Sequence, residues 1–242
     1  MARRPRRSPQ EPHGTSGEDS APIEPNVPAR DRIIAALMAL VAERPIEEVG
    51  FADIAGRAGV SLAELRQEFG GKLAIVAAYV KDIDRKVLAG GDADLAEEPP
   101  RERLFDVLMR RLEALAPHRA AIRSLMCSAR RHVSLALVLN SLAVRSQQWM
   151  LTAANIDAAG PRGWLRAQGV AFLYARVLRT FVEDEDPGLA RTMAALDRAL
   201  GRGQRWSGYL DDLCSLAPHR CLPRFRRRRH RDADLDEQAM PI

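Results

Sequence analysis

Apolar residues recur every three to four positions along most of the chain, a period that predicts α-helices rather than strands. The first such stretch has a wide apolar face and ends before Pro45, a residue that cannot continue a helix. Its apolar positions are Ile33, Ile34, Leu37, Met38, Leu40 and Val41. Aromatic residues make up only 5% of the chain, which favours helix packing over a sandwich or barrel. We therefore predict an all-α protein.

Two short helices follow the first and are separated by a tight turn. The earlier one is predicted from Phe51 to Ala58, and Gly59 supplies the left-handed residue that ends it. Ser61 and the acidic residue three positions later form an S-x-x-E capping box, so the next helix begins at once. The inward positions of the pair are predicted to be Phe51, Ile54, Ala55, Ala58, Leu65 and Phe69. The outward positions of the second helix are Glu64, Arg66, Gln67 and Glu68.

A long helix starts at Lys72, and further helices follow an acidic, proline-rich connector. In the last of them, Asp186 is expected to be the N-cap and Pro187 the first helical residue. The five later helices are predicted near 101–115, 118–130, 132–155, 161–183 and 187–214.

The excess positive charge belongs to the two ends of the chain. The formal net charge is +5, but arginines cluster in residues 1–7 and 224–231. Residues 1–28 and 218–242 combine proline, charge and few large apolar residues, a composition typical of disorder. The arginine-rich block near the C-terminus suits nucleic acid or an anionic membrane surface, although an acidic block follows it and such runs are often only solubilising.

Candidate chemistry beyond binding is sparse. No phosphate-binding glycine loop, nucleophile elbow or H-E-x-x-H motif occurs, so we predict no enzyme activity and no cofactor. The cysteines and histidines at Cys214, His219, Cys221 and His230 fit no paired C-x2-C zinc arrangement, so reduced thiols are favoured over a metal site. Cys127 is predicted to be a small core residue. The chain has no signal peptide and no apolar run that spans a bilayer, so a cytoplasmic location is expected.

The two short helices with their glycine turn have the layout of a helix-turn-helix, although such hairpins also occur as plain packing units. Together with the helix before and the all-helical remainder after, they resemble the TetR family of transcriptional regulators. The resemblance is carried by Ile33, Ala36, Ile54, Ala55, Ala58, Gly59, Val60, Ser61, Leu65, Phe69, Lys72 and Ile75.

This resemblance implies a three-helix DNA-binding head at residues 29–80 and a helical ligand-binding and dimerising body at residues 81–217. The expected activity is that of a homodimeric, ligand-responsive repressor, with the second short helix in the major groove of double-stranded DNA at a palindromic operator. The residues that the resemblance assigns to DNA are Arg57, Ser61, Leu62, Ala63, Arg66, Gln67 and Lys72.

The sequence departs from the family pattern at contacting positions. Gly50 stands where a Ser or Thr usually caps the first short helix, and Arg66 and Glu68 replace common aromatic residues. Glu64 and Glu68 oppose binding to phosphate unless Glu64 folds back into the capping box and Glu68 pairs with a basic neighbour. A glutamate can also accept a hydrogen bond from cytosine N4.

A second, looser resemblance concerns the body. The segments "SQQWML" and "FLYARVLRTFVEDEDPGLARTMAALDRAL" are similar to an accessory protein of ubiquinone biosynthesis, which shares the TetR fold but binds lipid. The alternative function is therefore lipid binding with loss of DNA reading. A small apolar ligand is expected in the body, with Trp149, Leu139 and Phe172 as candidate contacts, although helical spacing also fits core or dimer packing.

Overall fold

The computed structural model describes residues 27–90 and 97–215, with side chains described as far as residue 202. These segments contain α-helices and short 3-10 turns and no strand, which confirms the prediction of an all-α fold. The α-helices are α1 Ala29–Glu43, α2 Phe51–Ala58, α3 Leu62–Glu68, α4 Lys72–Ala89, α5 Pro100–Leu115, α6 Arg119–Arg131, α7 Val133–Ala153, α8 Gly160–Phe181 and α9 Ala190–Ser215. The two 3-10 turns are Ile46–Glu48 and Ala116–His118.

The predicted head contains α1 to α3 and the start of α4. The predicted apolar face of α1 is buried throughout, against α2 on one side and α4 and α6 on the other. Ile54, Ala55 and Ala58 of α2 and Leu65 of α3 are buried as predicted. Phe51 is an exception, because its side chain is about half exposed rather than inward.

The body packs α7 against α4, α5 and α8, and α9 closes the far side against α5 and α8. The buried apolar residues form one continuous cluster that runs from the head into the body. Cys127 on α6 is exposed, so its predicted role in the core is wrong. Of the described helices, none is long and apolar enough to cross a membrane.

The start of α9 differs from the prediction. Pro187 lies in a turn, Leu189 has a positive φ of 54°, and the α-helix begins only at Ala190. The carboxylate of Asp186 accepts hydrogen bonds from the backbone N–H of Gly188 and Ala190, so Asp186 caps a turn that precedes the helix.

Several sequence predictions lie outside the described residues. Nearly all of the two tails predicted to be disordered falls there, together with the arginine blocks and the side chains of the four cysteine and histidine residues weighed as zinc ligands. Within the described part of the chain, no group of three or more metal-ligating side chains comes together. The division into a head at 29–80 and a body at 81–217 stays a prediction.

Candidate nucleic-acid interface

The turn between α2 and α3 is fixed by local backbone geometry. Gly59 has φ 62° and ψ 41°, the left-handed conformation that glycine adopts without steric penalty. The N–H of Val60 donates to the carbonyl of Ala55 and the N–H of Gly59 to that of Gly56, which closes the end of α2. Gly59 therefore sets the angle at which α3 leaves α2.

The side chain of Arg32 on α1 also binds this turn. Nη1 of Arg32 donates to the carbonyl oxygens of Ala58 at 3.0 Å and Gly59 at 3.1 Å. These carbonyls lie at the C-terminal end of α2, where a cation is favoured. This contact could not be predicted from the sequence, because a basic residue beside the apolar face of α1 carries no local signal of its partner.

The capping box of α3 forms as predicted. The hydroxyl of Ser61 accepts from the backbone N–H of Glu64 at 3.1 Å, and Glu64 accepts from the Ser61 N–H at 2.8 Å and from its hydroxyl at 2.8 Å. These bonds, the backbone N–H foremost, lower the pKa of the Glu64 carboxyl. Glu64 is therefore an ionised capping residue held against the first turn of α3.

The outward face of α3 is formed by Leu62, Ala63, Arg66 and Gln67, all exposed, opposite the buried Leu65. At about 100° per residue these four positions share an arc of about 140°. On the same wheel, Glu64 and Glu68 lie about 60° and 100° beyond Gln67. Both glutamates thus lie on one side of the outward face, beyond Gln67.

The basic residues near this face already have partners. Arg57 makes two hydrogen bonds to Glu43, at 2.9 and 3.1 Å, and lowers the pKa of that carboxyl. Arg66 donates to the carbonyl of Gly70 at 3.2 Å. Neither Arg66 nor Lys72 forms an ion pair with Glu68 among the described contacts, so the expected pairing of Glu68 is not found.

Lys72 binds the backbone of the loop before α2. Its Nζ donates to the carbonyls of Ile46 at 2.7 Å and Val49 at 2.9 Å, and its side chain is partly buried. A lysine placed this way positions the start of α4 against the 3-10 turn. Among the seven predicted DNA contacts, Ser61 and Lys72 therefore have structural roles, whereas Leu62, Ala63 and Gln67 point to solvent.

Two of the three residues predicted to contact a ligand lie on the surface of the body. Trp149 is 55% exposed and Phe172 is 64% exposed, whereas Leu139 is only partly buried. The assignment of Trp149, Leu139 and Phe172 to ligand contact stays a prediction. Gln147 lies on the side of α7 opposite to Trp149, and its side chain is buried, with 1% exposed.

The interior of the body contains a polar cluster that the sequence analysis missed. Nη2 of Arg111 lies 3.1 Å from Oδ1 of Asp84, and the Ser146 hydroxyl donates to the same oxygen at 2.7 Å. Nε and Nη2 of Arg111 also donate to the Ser146 hydroxyl, at 3.2 and 2.7 Å. Each helix carries one charged residue on its apolar face, Asp84 in α4 and Arg111 in α5, and this pattern could have predicted a buried ion pair.

The body also contains buried polar atoms without partners, and two tyrosines among them lie near Arg111. The hydroxyls of Tyr79 and Tyr174 and Oε1 of Gln147 are buried without a hydrogen-bond partner. Burial raises the pKa of Tyr174 to about 12, and it also raises the pKa of Tyr79. The Arg111 guanidinium lies 5.4 Å from the Tyr174 ring centroid. Buried polar atoms of this kind are usually satisfied by a hydrogen bond, which a polar ligand or an ordered water could supply.

The head and body are joined through the 3-10 turn Ile46–Glu48 and α6. The Ser128 hydroxyl on α6 donates to Oε2 of Glu47 at 2.9 Å, and Nε2 of His132 lies 3.4 Å from Oε1 of the same carboxylate. A displacement of α6 would therefore move the 3-10 turn Ile46–Glu48, which precedes α2 and accepts a hydrogen bond from Lys72.

Comparison with solved structures finds TetR-type proteins. The TetR transcriptional regulator from Nitrosomonas europaea is 26% identical, covers 73% of this chain and 98% of its own, and superposes with a TM-score of 0.59. A candidate TetR-family transcriptional regulator from Rhodococcus sp. is 20% identical, with coverage of 72% and 95% and a TM-score of 0.50, a likeness of fold alone. No family model and no curated protein matches the chain. The chain therefore has the fold of the TetR-family transcriptional regulators.

Proposed function

We propose that the protein is a DNA-binding transcriptional regulator of the TetR type that places α3 in the major groove of a palindromic operator. The observation that carries this proposal is the exposed face of Leu62, Ala63, Arg66 and Gln67; the exposed Glu64 and Glu68 lie beside it, beyond Gln67. An α-helix fits the major groove of B-DNA, and side chains on its outward face reach the base edges.

Charge at the rim of α3 supports the same proposal. The Arg57–Glu43 pair is exposed, and exposed pairs contribute little to stability, so Arg57 can exchange Glu43 for a phosphate oxygen at little cost. Arg66 makes a single bond to a carbonyl and keeps its other N–H groups for DNA. Most of the DNA affinity is expected from such phosphate contacts.

The test is a binding titration of the full chain on its own upstream DNA and on random DNA across a salt series. We expect specific binding that exceeds random binding and that weakens when Arg66 is changed to Ala. Equal affinity for both DNAs at every salt concentration would contradict the proposal and would assign binding to nonspecific charge.

We further propose that the regulator acts as a homodimer through α8. Leu165 and Phe172 project from one exposed stripe of this helix, and Gly169 between them leaves open space. A stripe on one helix can pack against its own copy across a two-fold axis, which matches the symmetry of a palindrome. A dimer would cover apolar surface that is exposed in the single chain.

We also propose that the protein is a repressor that responds to a ligand. Binding of the ligand in the body would lower the affinity of the head for its operator. The buried, unpartnered atoms of Tyr79, Tyr174 and Gln147 support a ligand in the body, and the Glu47–Ser128 contact supports its effect on the head. A ligand shifts the head only if it binds the two head spacings with different affinity. An operator titration unchanged by a broad panel of small apolar and polar compounds would contradict this part.

A second candidate is lipid binding without DNA reading, favoured by the exposed indoles of Trp149 and Trp164. Cosedimentation with phospholipid vesicles, together with a blue shift of tryptophan emission and no specific DNA binding, would select it. Specific DNA binding without vesicle binding would exclude it.

A further inference from the structure

The outward face of α3 combines two apolar side chains with one neutral amide. Leu62 is 56% exposed, and Ala63 and Gln67 are exposed beside it. Within the described residues, the Gln67 side chain has no hydrogen-bond partner, so both its donor and its acceptor are available. The face therefore offers bidentate hydrogen bonding next to an apolar surface.

Arg66 is directed away from its apolar neighbours. Its bond to the Gly70 carbonyl draws the guanidinium toward the C-terminal end of α3, whereas Leu62 and Ala63 occupy the first turn. Leu62 and Ala63 are thus unscreened by a charged side chain. The first turn of α3 therefore exposes an apolar surface at Leu62 and Ala63.

The major groove distinguishes the bases by groups that match this chemistry. An amide side chain pairs with N6 and N7 of adenine, and an apolar side chain contacts the C5-methyl group of thymine. Guanine is read mainly by arginine or lysine, and cytosine by a carboxylate. On α3, both glutamates lie outside the outward face. Arg66 is drawn toward Gly70 and is assigned to phosphate, and Lys72, at the start of α4, is bound to two carbonyls.

We infer that α3 selects half-sites rich in A·T base pairs, with Gln67 reading an adenine and Leu62 with Ala63 contacting thymine methyl groups. This inference rests on the proposed function, because it specifies the DNA that the same helix reads.

The test begins with selection of a binding site by the full-length protein from a randomised duplex library. Each thymine of the selected half-site is then replaced by deoxyuridine, which removes only the methyl group, and Kd is measured by fluorescence anisotropy at fixed salt. We expect at least one replacement to weaken binding about fourfold, the effect of one buried methyl-sized group. Leu62→Ala should abolish that difference, whereas Leu137→Ala, an exposed leucine on α7, should retain it.

Gln67→Ala tests the adenine contact separately. We expect a loss of about 5- to 150-fold on the selected site, the range for one bidentate base contact. Replacing the contacted adenine by 7-deazaadenine should weaken DNA binding by the unmodified protein. The same replacement should add little to the loss of affinity already caused by Gln67→Ala.

The outcomes separate the inference from the function on which it rests. A selected site that is rich in G·C pairs, or that is insensitive to uracil and to Gln67→Ala, overturns the inference and leaves the regulator intact. Failure to enrich any sequence over random DNA overturns the proposed function as well.

Discussion

Hydrogen bonds between Ser61 and Glu64 hold the first turn of α3, whereas the buried ion pair of Asp84 and Arg111 joins two helices of the body. Ser61 and Glu64 were predicted correctly because both partners of the capping box lie within four residues. The exposure of Trp149 could not be predicted, because a tryptophan at helical spacing fits a core, a dimer face or a surface equally well. Asp84 and Arg111 were missed because their pairing joins α4 to α5, 27 positions apart along the sequence.

At the residue scale, Tyr174→Phe tests whether the buried hydroxyl lacks a partner. Removing an unpaired buried donor relieves a desolvation penalty, so we expect the free energy of unfolding to stay level or to rise by up to about 1 kcal/mol. Urea denaturation followed by circular dichroism measures it. A loss of 1 kcal/mol or more would mean that the hydroxyl is hydrogen-bonded, for example to ordered water.

Arg111→Met is the opposing case in the same cluster. It leaves the Asp84 carboxylate buried without its cation, and breaking a buried pair in this way is strongly destabilising, by about 3–5 kcal/mol. Burial already raises the pKa of Asp84, so the variant carboxyl should take up a proton at higher pH than in the unmodified protein. Urea denaturation at pH 5 and pH 7 checks this expectation, and equal stability to the unmodified protein would contradict it.

At the scale of elements, α2 was predicted with its observed bounds and α3 with its observed N-cap at Ser61, because Gly59 and the capping box act locally. The start of α9 was predicted three residues early. Leu189 is buried and takes a left-handed backbone conformation, so tertiary packing overrides the Asp-Pro signal before it. Arginines of α6 add to this constraint, since Arg119 and Arg123 donate to the carbonyls of Asp184 and Val182.

The buried carboxylate of Asp184 should make the α8–α9 turn sensitive to pH. It accepts from the Thr192 backbone N–H at 2.8 Å and from its hydroxyl at 2.6 Å. Burial opposes ionisation, but these bonds and one from Asp186 prevail and lower the pKa of Asp184. A lowered folded-state pKa gives stability that is complete above the unfolded value of about 3.9 and is lost as pH falls through the folded value.

Asp184→Asn tests this linkage. An amide keeps only one acceptor oxygen, so we expect a loss of about 1–3 kcal/mol in unfolding free energy at pH 6. The difference from the unmodified protein should shrink between pH 4 and pH 2.5, as measured by urea denaturation at each pH. A difference that stays constant over that range would contradict the assignment.

At the scale of the whole molecule, the all-α architecture followed from the helical period and the low aromatic content. The orientation of the head on the body did not, because it depends on contacts such as Ser128 with Glu47 that join distant segments. The exposed apolar stripe of α8 also emerges only in three dimensions. Helical spacing marks Leu165 and Phe172 as apolar positions without showing which side of α8 is left uncovered.

The proposed dimer predicts that a charge in this stripe separates the copies. Phe172→Asp should shift the molar mass from dimer to monomer in light scattering after size-exclusion chromatography, because an unpaired carboxylate in an apolar interface is costly to desolvate. Met193→Asp, at an exposed position on α9, serves as the comparison variant and should leave the mass unchanged if α8 alone forms the interface. A monomeric unmodified protein would contradict the dimer directly.

The central claim, that the outward face of α3 is the DNA-reading surface, is tested most directly by moving a carboxylate onto it. Ala63→Glu adds one charge to that face, and Ala120→Glu adds the same charge in the exposed first turn of α6. Kd is measured for both full-length variants on operator DNA across a salt series, with thermal melts to confirm folding. The account predicts a loss of at least about tenfold for Ala63→Glu, equivalent to about 1.4 kcal/mol, and a change within about twofold for Ala120→Glu. Equal effects of the two substitutions, or no effect of Ala63→Glu, would contradict it.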